Sequence, residues 1–282
     1  MTTIGPAEAT PKQSGSVRST SWGGPHATWR LALELLLMLT SREIMIRYKQ
    51  SVMGVLWALF MPALVICAGL VVRSAMSHLT GTPLAADAVA AMTVKALPWA
   101  FFISAIRLAT NSLTSNSNLV TRARCPRIVF PLSAILSALF DLAVAVVPLV
   151  VVLVVLGTPL SLQLLWVVPL LLLLVALVAG LGIGLATANL FYRDVKYIVE
   201  VVLMFAIFFT PVLFEARMLG SWQVWLWLNP VTPILEGLYS VIVHAQAPSF
   251  VWLGYSAIVS ALLFAGSLLL FFRLEPSFAD NI

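Results

Sequence analysis

The stretch RYKQSVMGVLWALFMP, residues 47–62, joins a basic segment to a long apolar run. Residues 50–72 contain no Asp, Glu, Lys or Arg over 23 positions, which is enough for a helix to cross about 30 Å of hydrocarbon. The preceding apolar run, Leu31–Leu39, is too short to cross and is interrupted by Glu34. We therefore predict an amphipathic helix in the membrane interface over residues 29–50, the alternative being a ragged start to the first span.

The composition is that of an integral membrane protein. Of the 282 residues, 61% are hydrophobic and 10% are charged, whereas a soluble domain carries about 25% charged residues. The basic residues lie beside apolar runs, so the net charge of +5 indicates membrane topology and not nucleic-acid binding. Two cysteines and three isolated histidines give neither a disulfide framework nor a metal site. Without a recognisable catalytic motif, we predict no enzymatic activity and no bound cofactor.

Six apolar segments predict an all-α membrane protein with six transmembrane helices. They lie at about residues 50–72, 93–116, 131–156, 164–190, 197–214 and 251–272. Between the fifth and sixth, Pro230, Pro233 and Gly237 interrupt apolar pieces that are too short to span, which predicts two short re-entrant helices. The glycines of GLGIG, residues 180–184, predict close packing between helices.

The charge distribution predicts three regions and a topology. Residues 1–28 are rich in Ser, Thr, Gly and Pro and lack the apolar core of a signal peptide, so we predict a disordered cytoplasmic tail. The interface helix follows at 29–50 and the membrane domain at 51–282. With both ends in the cytoplasm, 12 of the 16 Lys and Arg residues are cytoplasmic and 3 are outside, which obeys the positive-inside rule.

Two charges lie deepest in the predicted spans, Arg107 and Asp141. Each is about a dozen residues from the cytoplasmic end of its helix, and the two helices are antiparallel neighbours. Because an unpaired charge at that depth costs at least about 2.5–3.5 kcal/mol, we predict that they pair. The pair can serve transport, or it can simply hold the two helices together.

Other polar and aromatic side chains are candidates for contacts with a partner or with cargo. A basic loop contains Arg122, Arg124 and Arg127 together with Pro126. Arginine side chains can bind carboxylates or phosphates through bidentate hydrogen bonds. Ordinary positive-inside topology explains the same charges. Five residues are predicted to line a path through the membrane, with packing and an interfacial aromatic belt as the alternative: Tyr48, Trp57, Phe60, Asn111 and Ser112.

Five motifs occur in a characteristic order and spacing from about residue 29 onward: RYKQSVMGVLWALFMP, NSNLVTRARCPRIVFPLS, FYRDVKYIVE, LNPVTPILEGLY and RLEPSFAD. Together they resemble the ABC-2-type permease family, and within it the bacterial permeases that export O-antigen and related lipid-linked polysaccharides. Teichoic-acid export permeases are close relatives. One departure is Cys125, where many relatives carry an aromatic residue before the Pro-Arg of the basic loop.

The resemblance implies a function for this chain and several partners. It implies a homodimer of six-span subunits in the bacterial inner membrane, joined to two cytoplasmic subunits that bind ATP and Mg. It also implies that the ATPase contacts the interface helix and the basic loop, which here means Arg42, Glu43, Arg47, Lys49, Arg122, Arg124 and Arg127. The expected cargo is a lipid-linked polysaccharide. Teichoic acid, a drug or a lipid is the alternative cargo, and a secondary transporter is the alternative class.

Overall fold

The computed structural model describes residues 25–49, 54, 56–80, 86–122, 126–155, 161–214 and 216–280. Within these ranges every regular element is a helix. The α-helices are α1 Pro25–Tyr48, α2 Leu56–Thr80, α3 Ala86–Ser115, α4 Ser117–Arg122, α5 Val129–Val155, α6 Val167–Phe191, α7 Val195–Ala206, α8 Gln223–Trp227, α9 Val231–Val243 and α10 Phe250–Leu274. Short 3-10 segments lie at Leu162–Trp166, Ile207–Phe209, Ala216–Trp222 and Glu275–Asp280. Of the predicted tail, only residues 25–28 are described, and they belong to α1.

Four helices in the described ranges are long and apolar enough to cross a membrane. They are Ala90–Ser115, Val129–Val150, Leu162–Phe191 and Phe250–Phe278, and they match the second, third, fourth and sixth predicted spans. A bent pair, Gly220–Trp227 and Val231–Val243, makes a fifth candidate if it is one broken span, with an angle of 110° between its halves. The all-helical, multi-pass architecture is confirmed, with four or five candidate spans in this part of the chain.

The predicted fifth span, residues 197–214, is largely irregular in its second half. Helix α7 has 12 residues, which is about 18 Å at 1.5 Å per residue and too short to cross alone. After the 3-10 turn Ile207–Phe209, Thr210 is extended, with φ −132° and ψ 129°. Pro211 follows, and its missing N–H cannot continue a helix.

Helix α3 is the centre of the bundle and packs on α2, α5, α6, α7 and α9. In its apolar segment 72% of residues are buried, against 11% in α10, so α3 faces protein while α10 is peripheral. The predicted role of GLGIG in close packing is confirmed. A Cβ on Gly182 would lie 2.8 Å from Ala109 Cβ on α3, and a Cβ on Gly180 would lie 2.7 Å from the Phe264 backbone nitrogen on α10.

A second apolar cluster closes the end of the bundle where α3 ends and α5 begins. Leu39 of α1, Phe130 of α5, Phe271 of α10 and Phe278 of the final 3-10 segment are buried together. The rings of Phe271 and Phe278 are 5.2 Å apart and meet edge to face. This cluster joins α1 to the bundle and gives the closing RLEPSFAD motif a structural role.

Candidate functional site

The end of α1 is tied to α5 through one carboxylate. Arg47 forms an ion pair with Asp141, and its other terminal nitrogen donates to Ser137 Oγ at 2.6 Å. The Tyr48 hydroxyl donates to the second Asp141 oxygen. Because two consecutive residues of α1 bind the same carboxylate, both the position and the rotation of the helix end are set.

Tyr48 acts in this cluster as a hydrogen-bond donor. Burial raises the pKa of its hydroxyl, and the hydrogen bond to Asp141 raises it further, so the phenol keeps its proton at neutral pH. The ring lies beside Phe140, with centroids 6.4 Å apart. Tyr48 was predicted to line a path; the structure places it half-buried against α5.

The C-terminal half of α1 runs alongside α5. Leu39 is buried with Val129 and Phe130 at the start of α5, and Arg47, two turns later in α1, reaches Asp141. Asp141 lies 12 residues after Val129, which is about 18 Å along the helix. The C-terminal half of α1 therefore packs along α5 over this length, and the placement of residues 29–50 in the membrane interface stays a prediction.

The predicted pair of Arg107 and Asp141 is not the arrangement in the structure. Asp141 binds α1 instead, and Arg107 Nε lies 3.8 Å from Glu200 Oε1 of α7. Because α1 was predicted to lie in the membrane interface, Arg47 was not expected to reach Asp141. Arg107 and Asp141 do lie on neighbouring helices, since α3 and α5 pack closely.

The Arg107–Glu200 pair is exposed although Arg107 lies in the candidate span Ala90–Ser115. The two side chains are 50% and 56% exposed. On insertion scales a charge facing lipid at the centre of a span costs about 2.5–3.5 kcal/mol. The face of α3 that carries Arg107 is therefore better suited to contact water or another protein surface than lipid.

Two polar residues of α3, Asn111 and Ser112, were predicted to line a path. Asn111 lies on the same face of α3 as Arg107, and Ser112 does not. Asn111 is partly exposed, and its Nδ2 donates to the Arg107 carbonyl at 3.0 Å. Ser112 is buried, and its hydroxyl donates to the Ala109 carbonyl at 2.7 Å. Only Asn111 is accessible in this fold.

The basic loop is described only in part. Arg127 Nε donates to the Val120 carbonyl at 3.2 Å, and one terminal nitrogen donates to the Glu275 carbonyl. Its guanidinium carbon lies 5.9 Å from the Phe278 ring centroid. Arg127 thus holds the C-terminal segment against the loop. Arg124 and the side chain of Arg122 lie outside the described residues.

The remaining predicted residues lie on α1 and α2. Arg42 donates to Asn116 Oδ1 at 3.3 Å, while Glu43 is half-buried and Lys49 is exposed. The Trp57 and Phe60 rings meet edge to face, with centroids 5.2 Å apart, and both are exposed. Lys49, Trp57 and Phe60 are therefore accessible. Arg47, in contrast, is bound to Asp141 within the chain.

A buried ion pair was missed by the sequence analysis. Lys95 Nζ of α3 lies 2.6 Å from Glu236 Oε1 of α9, and the two side chains are 1% and 15% exposed. The ammonium also lies 4.7 Å from the Tyr239 ring centroid. Lys95 was not predicted to have a partner, although its place inside a mostly apolar run could have marked it as a buried group needing one.

No group of three or more His, Cys, Asp or Glu side chains that could hold a metal ion occurs in the described part of the chain. The charged clusters found here are ion pairs that join helices. Their chemistry is that of positioning and ionic recognition.

Comparison with known proteins gives a consistent result. The family described as ABC-2 type transporter matches residues 34–243. An O-antigen export system permease protein RfbA from Klebsiella pneumoniae is 29% identical over 212 residues, covering 72% of this chain and 77% of the relative. A second one from Klebsiella pneumoniae is 26% identical over 257 residues, covering 88% and 94%. One from Myxococcus xanthus is 26% identical over 260 residues, covering 88% and 95%.

Proposed function

The chain belongs to the ABC-2 type transporter family, and we propose that it is the channel-forming permease subunit of an ATP-driven exporter of a lipid-linked polysaccharide. The observation that carries this proposal is the alignment with relatives named O-antigen export permeases, over 88% of this chain and 94–95% of theirs. The alignment spans nearly the whole of those relatives, so it reaches beyond a single shared helix or motif.

A separate ATP-binding subunit supplies the energy in this proposal. Two such subunits, each with ATP and Mg, serve a homodimer of this chain. Arg42 is exposed and bonds Asn116 just after the end of α3, which supports its role in that contact together with Glu43, and Lys49 is retained on the ground of its sequence. Arg122 and Arg124 are retained as contacts on the ground of their sequence, whereas Arg47 and Arg127 act by holding the contact surface in shape.

The proposed topology has six spans and both ends in the cytoplasm of a bacterium, with the chain in the inner membrane. Helix α2 supplies the first span, since its 25 residues reach about 37 Å. Helix α7 and the turn after it supply the fifth, and the bent pair α8–α9 forms the re-entrant element. The 12-to-3 distribution of basic residues supports this orientation.

Depletion of this chain in its native host tests the proposal. The glycan on its lipid carrier should accumulate on the cytoplasmic side while surface glycan falls, and re-expression should reverse both effects. Affinity purification should recover an ATP-binding subunit, and the purified chain alone should hydrolyse no ATP. Unchanged surface glycan after depletion, or robust hydrolysis by the isolated chain, would contradict the proposed function.

A further inference from the structure

We propose that Arg107 binds the phosphate that links a polysaccharide to its lipid carrier, and that Glu200 competes with this phosphate for the guanidinium group. The inference rests on the proposed function and deepens it, because it names the chemical group of the cargo and the residue that recognises it. Four observations carry it: the exposure of the ion pair, its length, the polar face around it and the chemistry of arginine.

The exposure of the pair favours a surface that lipid does not cover. Arg107 lies eight residues before Ser115, the last residue of α3, or about 12 Å from that end. Glu200 lies five residues after Val195, the first residue of α7, or about 7.5 Å. Both charges thus lie away from these helix ends and are half-exposed. Charged side chains in spans face protein or a water-filled path, and none of the described residues of this subunit covers that side of the pair.

The ion pair leaves guanidinium donors available. The 3.8 Å between Arg107 Nε and Glu200 Oε1 is an electrostatic contact that exceeds hydrogen-bond length. A guanidinium has five N–H donors. By contrast, Arg47 is bound by Asp141 and Ser137. Arg107 can therefore take a second anionic partner without first losing a strong hydrogen bond.

The surroundings of Arg107 suit a polar cargo. Asn111 and Ser115 follow at intervals of four, so the three residues form a stripe on one face of α3. Asn111 Nδ2 donates to the Arg107 carbonyl at 3.0 Å, and Ser115 Oγ donates to the Asn111 carbonyl at 2.8 Å. These bonds secure both side chains along the helix. The stripe leads from Arg107 to the end of α3, which the proposed topology places in the cytoplasm.

Phosphate is the cargo group that arginine recognises best. The planar guanidinium donates two parallel hydrogen bonds to phosphate oxygens, whereas the hydroxyls of a neutral sugar do not need a cation. Glu200 repels an anion and holds Arg107 while the site is empty. A lipid phosphate can come from the cargo or from a membrane phospholipid, and we assign it to the cargo.

The test uses the complex with its ATP-binding partner, reconstituted in nanodiscs of zwitterionic phosphatidylcholine. A polyprenyl diphosphate carrying one sugar is titrated, and the stimulated ATPase rate gives its half-maximal concentration. Arg107→Gln should raise this concentration at least about tenfold, the range of a lost charged hydrogen bond. Glu200→Gln should lower it, because the competing carboxylate is gone. Arg193→Gln, an exposed charge-matched control, should leave it unchanged.

The opposite signs distinguish recognition from a structural ion pair, because both substitutions break the pair. If Arg107→Gln and Glu200→Gln shift the concentration in the same direction while the complexes assemble normally, the inference is wrong. Competition by added phosphatidylglycerol that disappears in Arg107→Gln would overturn the assignment to the cargo. If the wild-type complex does not respond to the carrier at all, the proposed function fails and the inference fails with it.

Discussion

Replacing Lys95 by methionine would leave the Glu236 carboxylate buried without its cation. The two side chains are 1% and 15% exposed, their charged atoms are 2.6 Å apart, and the ammonium also lies over the Tyr239 ring at 4.7 Å. Removing one partner of a buried pair destabilises a protein by about 3–5 kcal/mol. Because the orphaned carboxylate can take up a proton, we expect the lower end, about 3 kcal/mol, for Lys95→Met.

The double variant Lys95→Met/Glu236→Met removes both charges but keeps side chains of similar size, so it distinguishes the ion pair from the packing of the two side chains. Replacing both charges by apolar side chains of similar size is often neutral or stabilising, so we expect it within about 1 kcal/mol of wild type. The energies of the two single changes should therefore be far from additive. Arg107→Gln, on the same helix but in the half-exposed pair with Glu200, should cost less than about 1 kcal/mol.

The measurement is the free energy of unfolding of the purified protein in mixed micelles, titrated with a denaturing detergent and followed by helical circular dichroism. A double variant that is no more stable than Lys95→Met would refute the reasoning. A cost for Lys95→Met as small as that for Arg107→Gln would refute it as well, since burial would then make no difference to the two pairs.

Three further changes test other parts of the fold. Gly182→Val should destabilise by about 1–3 kcal/mol, because even a Cβ would lie 2.8 Å from Ala109 Cβ, while Gly254→Val on open surface should change the unfolding free energy little. Asp141→Ala should release the end of α1 and increase its proteolysis in the intact complex, and unchanged cleavage would contradict the anchoring role. Gly54 lies between α1 and α2 with φ +51°, and we predict that it is a hinge that couples the partner contact to the first span. Gly54→Leu should therefore uncouple ATP hydrolysis from export with the complex intact, while Gly54→Asn, which tolerates that conformation, should export; normal export by the leucine variant would exclude a coupling role.

The membrane helices were predictable because crossing a bilayer needs length and apolarity, and both are local properties of a sequence. Four predicted spans match helices in the structure. Of the other two, residues 197–214 show the limit of hydropathy. The second half of the segment is mostly apolar, but α7 ends at Ala206 and the chain becomes extended at Thr210 before Pro211, and apolarity says nothing about where backbone hydrogen bonds stop.

Partners of charged residues were predicted poorly because they are set by long-range packing. Asp141 was assigned to Arg107 on equal depth, yet the structure pairs it with Arg47, 94 residues away. Lys95 finds Glu236 at a separation of 141 residues. An apolar sequence around a charged residue indicates that its side chain needs a partner. Which residue that partner is depends on how α1 and α9 pack against the central helices.

The distance along the chain between Arg47 and Asp141 has a consequence for biosynthesis. Helix α1 is made early, but the carboxylate that holds its end is made 94 residues later. At about 5–20 residues per second, α1 waits roughly 5–20 s before that contact can form. Until Asp141 is made, Arg47 lacks this carboxylate partner. We therefore expect α1 to stay at the membrane surface during this interval. Asp141 thus marks the point in translation after which the first helix can take its final place.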